Sequence, residues 1–401
     1  MEKIYVVAAK RSAIGSFLGS LKDISIDDLG KQVLNGLFKS AKIDPKLVDE
    51  VIIGNVLGAN LGLGWFRKIT IESGLKLETP SYSVNMVCGS GMQAIINGYN
   101  SILTGKRDLV LTGGIELMSN APHYLSNSRS GNKLGDQIIV DSILKDGLTD
   151  PFLNLSMGLL TETLVSKYNI TKEEQDLFSY HSQLKAIKAK NSGKFKNEII
   201  PIKINRKKEE INFSEDEFIR ENTSLEKIKN LKPVFKKDGT ITAGSSSGIN
   251  DGASFILLAS ERAVQKYNLK PLALIKGIGS SGVNPELMGL GPIDAIKESL
   301  KEAKLSFNDI DLIEINESFA AQVLAVVKEL SKIYNLSEQE ILKLINPNGG
   351  AIALGHPIGA SGNRIVVTLV NELLKNNHQK YGLATLCIGS GMGLSLIIEK
   401  V

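Results

Sequence analysis

The chain has 401 residues, 42% of them hydrophobic and 22% charged, with a formal net charge of +4. That profile excludes a disordered polyelectrolyte and describes a globular protein long enough for two or three domains. The longest apolar runs, such as Ile365 to Val370, fall well short of the about 18 residues a membrane-spanning helix needs. Two cysteines, Cys88 and Cys387, supply neither a disulfide framework nor the paired spacing of a zinc site.

In chain order, the opening run Ile4 to Ala9 has strand length and reads as a first strand, not a signal peptide, so a cytoplasmic protein is expected. Alternating apolar runs and amphipathic stretches at both ends imply an α/β architecture. A helix end at Ala41-Lys42-Ile43 leads through a turn to a strand over Asp49 to Ile53. The same pattern returns at Ala303-Lys304-Leu305 and Asp311 to Ile315, so that Ala41 matches Ala303 at an offset of 262 residues. Each copy is followed by a glycine-rich turn into a helix, Cys88-Gly-Ser-Gly-Met in one and Gly355-His356-Pro-Ile-Gly in the other, and then by a closing strand from Asp108 or Tyr381. Two similar halves packed together would bring Cys88 and His356 towards one cleft.

Between the halves an insertion runs from about Ser119 to Asn250. Thr171 and Glu174 have capping-box spacing for a helix to Lys190, with Gly193 as its stop. The lysine-rich stretch from Lys185 to Lys237 is either a solvated face or a docking surface for an anionic ligand such as a nucleotide phosphate. Nucleic acid is not expected, since aromatics are only 5% of the chain and do not interleave the lysines.

Cys88 lies where a strand-like run meets small residues and a helix beginning near Met92, a setting that favours a nucleophilic thiolate. His356 sits in a segment, Asn346 to Gly362, too glycine-rich to be chosen for stability; an imidazole beside a thiol is a common activator. His123, His181 and His378 read as structural or exposed. Cys387 closes an apolar strand before Ile-Gly-Ser-Gly, whose amides can face an oxyanion, and a second thiol suits a reaction that removes a carbon-bound proton. Asn316 and Glu317 follow a strand as site groups or, for Asn316, as a helix cap. The loop Gly244-Ser-Ser-Ser-Gly is a weak candidate for phosphate binding through its amides.

Together, Asn85-Met-Val-Cys88-Gly-Ser-Gly-Met, Gly113-Gly-Ile-Glu-Leu-Met-Ser, Gly239-Thr-Ile-Thr-Ala-Gly, Gly248-Ile-Asn-Asp-Gly-Ala, Asn316-Glu-Ser-Phe-Ala, Gly349 to Gly362 and Cys387-Ile-Gly-Ser-Gly-Met-Gly resemble the thiolase family, over nearly the whole chain. The resemblance implies a five-layered α/β/α/β/α core of two similar halves, 1–118 with 251–271 and 272–401, around an inserted loop domain, 119–250. It implies acetyl-CoA C-acetyltransferase activity, with a 3-ketoacyl-CoA thiolase of broader chain length, a condensing enzyme of fatty-acid type, or a non-catalytic acyl-CoA-binding member as alternatives. Cys88 would be the acylated nucleophile, His356 its activator and Cys387 the acid/base thiol. Asn316 would hold a water that completes one oxyanion hole with His356, while the amides of Cys88 and Gly389 form the other. Coenzyme A would contact Leu148, Met157, Arg220, Phe235, Ala243 and Ser247, with Met288 near the acyl pocket and Phe319 in the substrate-binding set. The coenzyme A thioester is substrate; no further cofactor, metal or membrane partner is expected. A homotetramer is expected, with Ser119 to Asp136 as a contact. Ser318 and Ser390 stand where the family often has alanine and glycine, Ser156 where it often has histidine, and Gly64-Trp-Phe-Arg-Lys-Ile replaces a more polar segment.

Overall fold

The apolar runs near the two ends become two groups of strands in a computed structural model of the chain, which describes residues 2–131, 133–206 and 209–401. The principal strands are β1 (Ile4–Ser12), β2 (Glu50–Gly54), β3 (Ser81–Val84), β4 (Leu109–Leu117), β5 (Asn250–Ser260), β6 (Ala273–Gly282), β7 (Leu312–Ile315), β8 (Tyr381–Ile388) and β9 (Met392–Lys400). The helices that position the site are α1 (Ile26–Ala41), α2 (Ser90–Leu103), α3 (Met157–Tyr168), α4 (Lys172–Asn191), α5 (Gly291–Ala303), α6 (Ala320–Tyr334) and α7 (Ile358–Leu373).

Strand order runs β7-β8-β9-β6-β1-β5-β4-β2-β3. Within the sheet the two halves are joined by the pairing of β1 with β6, Tyr5 opposite Leu274 and Val6 opposite Ala273. Each half mixes parallel pairs, β2 with β3 and β4 or β7 with β8, with antiparallel ones. Helices α2 and α7 lie between the two half-sheets. Their Met92, Ile95, Ile365, Val366 and Leu369 share one core with Ile52, Val110 and Ile256 on one side and Leu386, Leu394 and Leu396 on the other. Helix α1 covers the outer face of the first half-sheet, and α5 and α6 that of the second. The layers are therefore α/β/α/β/α, the architecture expected from the resemblance.

The internal repeat is visible down to its caps. Helices α1 and α5 end at Ala41 and Ala303, and the next residues, Lys42 and Lys304, both turn left-handed at φ 56°. Short turns at Pro45–Leu47 and Phe307–Asp309 then lead into β2 and β7. These caps close each helix through a backbone amide, Lys42 N to Phe38 O and Lys304 N to Leu300 O.

The insertion carries two antiparallel hairpins, His123–Leu125 with Ile139–Asp141 and Ile202–Arg206 with Glu209–Phe213. Helix α4 begins with the expected capping box between Thr171 and Glu174, and beyond its end Gly193 takes φ 69°. Among the described residues no helix is long and apolar enough to cross a membrane.

Candidate active site

Cys88 stands between β3 and α2. Val87 before it is held at φ 48°, a costly conformation for a β-branched residue. Ser90 clamps that turn: its Oγ accepts from Met86 N at 2.9 Å and donates to Val87 O at 2.7 Å. Helix α2 starts at Ser90, two residues earlier than expected, because this hydroxyl organises its first turn.

His356 is delivered by the second glycine-rich turn. Its backbone NH donates to Asn250 Oδ1 at 3.0 Å, and its Nδ1 lies 2.6 Å from Ser361 Oγ. Ser361 directs its one hydroxyl proton to Pro357 O at 3.0 Å. Nδ1 is therefore the protonated nitrogen, and Nε2 is left bare to act as a base. Burial, with the nearby Arg364 charge, pushes the imidazole down to about 3.

The two turns can meet because glycine lines their contact. A Cβ on Gly91 would stand 2.7 Å from Asn363 N and 2.9 Å from Gly359 O, and one on Gly114 would stand 2.3 Å from Gly359 O. Glu116 fixes the same junction by accepting from the amides of Val56, Leu57 and Gly359 and from Asn55 Nδ2. Burial raises this carboxyl to about 7.

Cys387 lies at the end of β8, 2% exposed, with its Sγ 3.7 Å from Ser318 Oγ. Burial, and then the neighbouring Cys88, push its thiol up to about 12, while Ser318 pulls it down. Cys88 is half-buried, and loss of water raises its thiol to about 11. The amides of Gly389 and of Cys88 itself act in the opposite direction by donating to that sulfur. Two backbone donors thus converge at Cys88, Gly389 being placed by left-handed turns at Ser390 and Gly391.

One cavity of about 610 Å³ opens over these groups. Cys88, His356, Cys387 and Gly389 line it, as do Leu148, Met157, Arg220, Phe235, Ala243, Ser247, Met288 and Phe319. Asn316 does not. It lies fully buried behind Ser318, donating from Nδ2 to Ser318 Oγ at 3.1 Å and lying 3.5 Å from His356 Nε2. It caps no helix, since α6 takes Phe319 as its N-cap. Its Oδ1 has no protein partner among the described residues.

Ser246, Ser247 and Gly248 of the Gly244–Gly248 loop line the cavity, but three of the loop's amides are not free to form a phosphate nest. The amides of Gly244, Ser245 and Ser247 are committed to Thr242 Oγ1, Thr242 O and Ser318 O. Arg220 stacks over Phe218 at 5.1 Å at the cavity rim. Glu317 is a brace: it accepts from Ser182, Asn346 and Ile352 N and so holds the segment leading to His356.

Residues 4–262 match the family model "Thiolase, N-terminal domain" and residues 269–400 match "Thiolase, C-terminal domain". The chain belongs to the thiolase family. It is an acyltransferase of that family, 46% identical over the full length of both chains to a "Probable acetyl-CoA acyltransferase" of Staphylococcus aureus (strain N315). Among solved structures it resembles the Bacillus anthracis acetyl-CoA acetyltransferase, at 39% identity and TM-score 0.95, over 100% of this chain and 99% of that one. It also resembles the human mitochondrial 3-ketoacyl-CoA thiolase in complex with CoA, at 42% identity and TM-score 0.93, over 100% and 98%.

The sequence left three members of this thiolase site unremarked: Ser361, Asn250 and Glu116. Ser361 was within reach, because it sits one helical turn past His356 in the same motif. Asn250 and Glu116 meet the site only through the tertiary fold.

Proposed function

We propose that the chain is an acetyl-CoA C-acetyltransferase, joining two acetyl-CoA into acetoacetyl-CoA and CoA and running the reverse thiolysis. The observation that carries this is the convergence, on one cavity, of a thiol with two amide donors, a bare imidazole nitrogen and a second buried thiol. Cys88 Sγ attacks the thioester carbonyl as His356 Nε2 takes its proton, and the CoA thiolate leaves with that proton. The amides of Cys88 and Gly389 hold the oxyanion. Cys387 then removes the α-proton of a second acetyl-CoA. The enolate oxygen faces a water that Asn316 is suited to hold, since its Oδ1, without a protein partner among the described residues, can accept one of the water's protons while the other points at the oxygen; the bare Nε2 beside it cannot donate. The carbanion attacks acetyl-Cys88, the Cys88 thiolate departs, and the proton on Cys387 returns to it.

Arg220 at the rim and the apolar walls formed by Leu148, Phe235 and Met157 suit a nucleotide-bearing pantetheine chain, and the human relative has been solved with CoA. Met288 and Phe319, both buried, narrow the end nearest Cys387 and favour a short acyl group. A 3-ketoacyl-CoA thiolase of broader range is the second reading, supported by the likeness to the human enzyme. Assembly through the segment Ser119 to Asp136 is supported by its exposed Leu125 and Leu134, and a tetramer by light scattering is expected.

The deciding experiment incubates the protein with acetyl-CoA, maps adducts by mass spectrometry, and follows thiolysis across chain lengths in wild type and Cys88→Ala. Acetyl on Cys88 and a preference for acetoacetyl-CoA, both lost in the variant, are expected. CoA binding with no adduct and no turnover would eliminate the catalytic reading, and a flat chain-length profile would move the assignment to the broader thiolase.

A further inference from the structure

The thiol read above as the acid/base has a neighbour that the mechanism has not used. Ser318 lines the cavity, is 7% exposed, and places its Oγ 3.7 Å from Cys387 Sγ. The same oxygen accepts from Asn316 Nδ2 at 3.1 Å. Its position is fixed from both sides, since Ser318 N donates to Asn316 O and Ser318 O accepts from Ser247 N. A serine hydroxyl has one proton and two lone pairs. One lone pair is taken by Asn316, which leaves the second lone pair and the proton free to serve Cys387.

We propose that Ser318 is a positioning residue for the α-proton transfer: its hydroxyl accepts from the Cys387 thiol and turns to donate to the Cys387 thiolate, stabilising the form that takes the proton. This rests on the reading of Cys387 as the acid/base. In the step itself the α-carbon C–H bond breaks and an S–H bond forms on Cys387. The electron pair moves into the enolate, and Ser318 swings from donor to acceptor with no net transfer of its own proton. Asn316 Nδ2 donates in both states, so the hydroxyl is polarised towards the sulfur throughout.

The surroundings make that single donor count. Among the described residues, Cys88, His356 and, at the rim, Arg220 are the titratable groups sharing the cavity with Cys387. The one carboxylate of α3, Glu162, is occupied by the amides of Thr240 and Ile241. From α6 the facing residues are Ala321, Leu324 and Ala325, and Met288 closes another side. Burial and the neighbouring sulfur both disfavour the thiolate, while Ser318 favours it. A hydrogen bond to the charged form shifts such an equilibrium by about one pH unit, a factor of about ten in thiolate fraction.

The test uses the full chain with acetyl-CoA in deuterated buffer. It measures acetylation of Cys88 and exchange of the acetyl α-protons across pH for wild type, Ser318→Ala and Ser318→Thr, with thermal melting to confirm folding. In Ser318→Ala the ratio of exchange to acetylation is expected to fall about tenfold, and the exchange profile to move up by about one pH unit. Ser318→Thr, which keeps the hydroxyl, is expected to lie closer to wild type. Coincident wild-type and Ser318→Ala profiles, or an equal loss in both half-reactions, would overturn the role of Ser318 alone. No acetylation of Cys88 in the wild type would remove the underlying reading, and this role with it.

Discussion

A thiol pushed up to about 11 faces, across one cavity, an imidazole pushed down to about 3. With shifts in those directions the resting pair is neutral, not a thiolate and an imidazolium, so in the proposed mechanism His356 takes the proton at the moment of attack and does not prepare the nucleophile beforehand. The sign of the pH dependence follows. A raised thiol pKa leaves less thiolate at pH 7 than the about 3% of a free cysteine of pKa about 8.5. Alkylation of Cys88 by iodoacetamide, mapped by mass spectrometry to separate it from Cys387, is therefore expected to be slow at pH 7 and to climb through pH 9 and above. A rate already at its plateau by pH 7 would show that the amides of Gly389 and Cys88 outweigh burial. The placing of Cys88 and His356 at one cavity was legible because both lie in glycine-rich segments that stability does not explain. Their protonation was not, because burial is a property of everything packed around them.

Helices α2 and α7 carry Cys88 and His356 at their starts, so the distance between these two elements sets the distance between the reacting groups. Gly91 is where they touch: a Cβ there would meet the backbone of Asn363 and Gly359 at 2.7 and 2.9 Å, too close for either chain to absorb without shifting. Gly91→Ala is thus expected to push α7 outward, lower the melting temperature, and slow Cys88 acetylation by about 100-fold, the usual cost of misplacing a reacting group by about 1 Å. A variant that melts lower but acetylates at the wild-type rate would show that the turn at His356 moves independently of α7. Elements with local signals were readable in advance: the capping box of α4, and the paired helix ends at Ala41 and Ala303. The seat of β5 between β1 and β4 was not, since strand order depends on contacts across more than a hundred residues of insertion.

At the scale of the whole molecule, the inserted segment must be held firmly enough to wall a cavity whose floor belongs to both halves. Arg11 of β1 does much of this. Its guanidinium, 1% exposed, donates from Nε to Glu198 Oε1 at 2.7 Å and from Nη1 and Nη2 to the two oxygens of Asp216 at 2.6 and 2.9 Å, and it stacks over Phe195 at 5.2 Å. Glu198 also accepts from Thr368 of α7, and Asp216 from Ile14 N, so one cation joins the first strand, the insertion and the helix behind His356. Removing one member of such a buried group leaves uncompensated charge, which costs about 3–5 kcal/mol, whereas an exposed pair such as Lys203 with Glu210 is worth less than about 1. Arg11→Ala is accordingly expected to lower unfolding stability by about 3–5 kcal/mol in denaturant titration. Arg11→Lys is expected to recover only part of this, since a single ammonium cannot replace the fork that reaches both carboxylates. If Arg11→Ala proved as stable as wild type, the insertion would have to be held by its apolar contacts alone, chiefly Phe195 and Ile219 against Ile14 and Leu354.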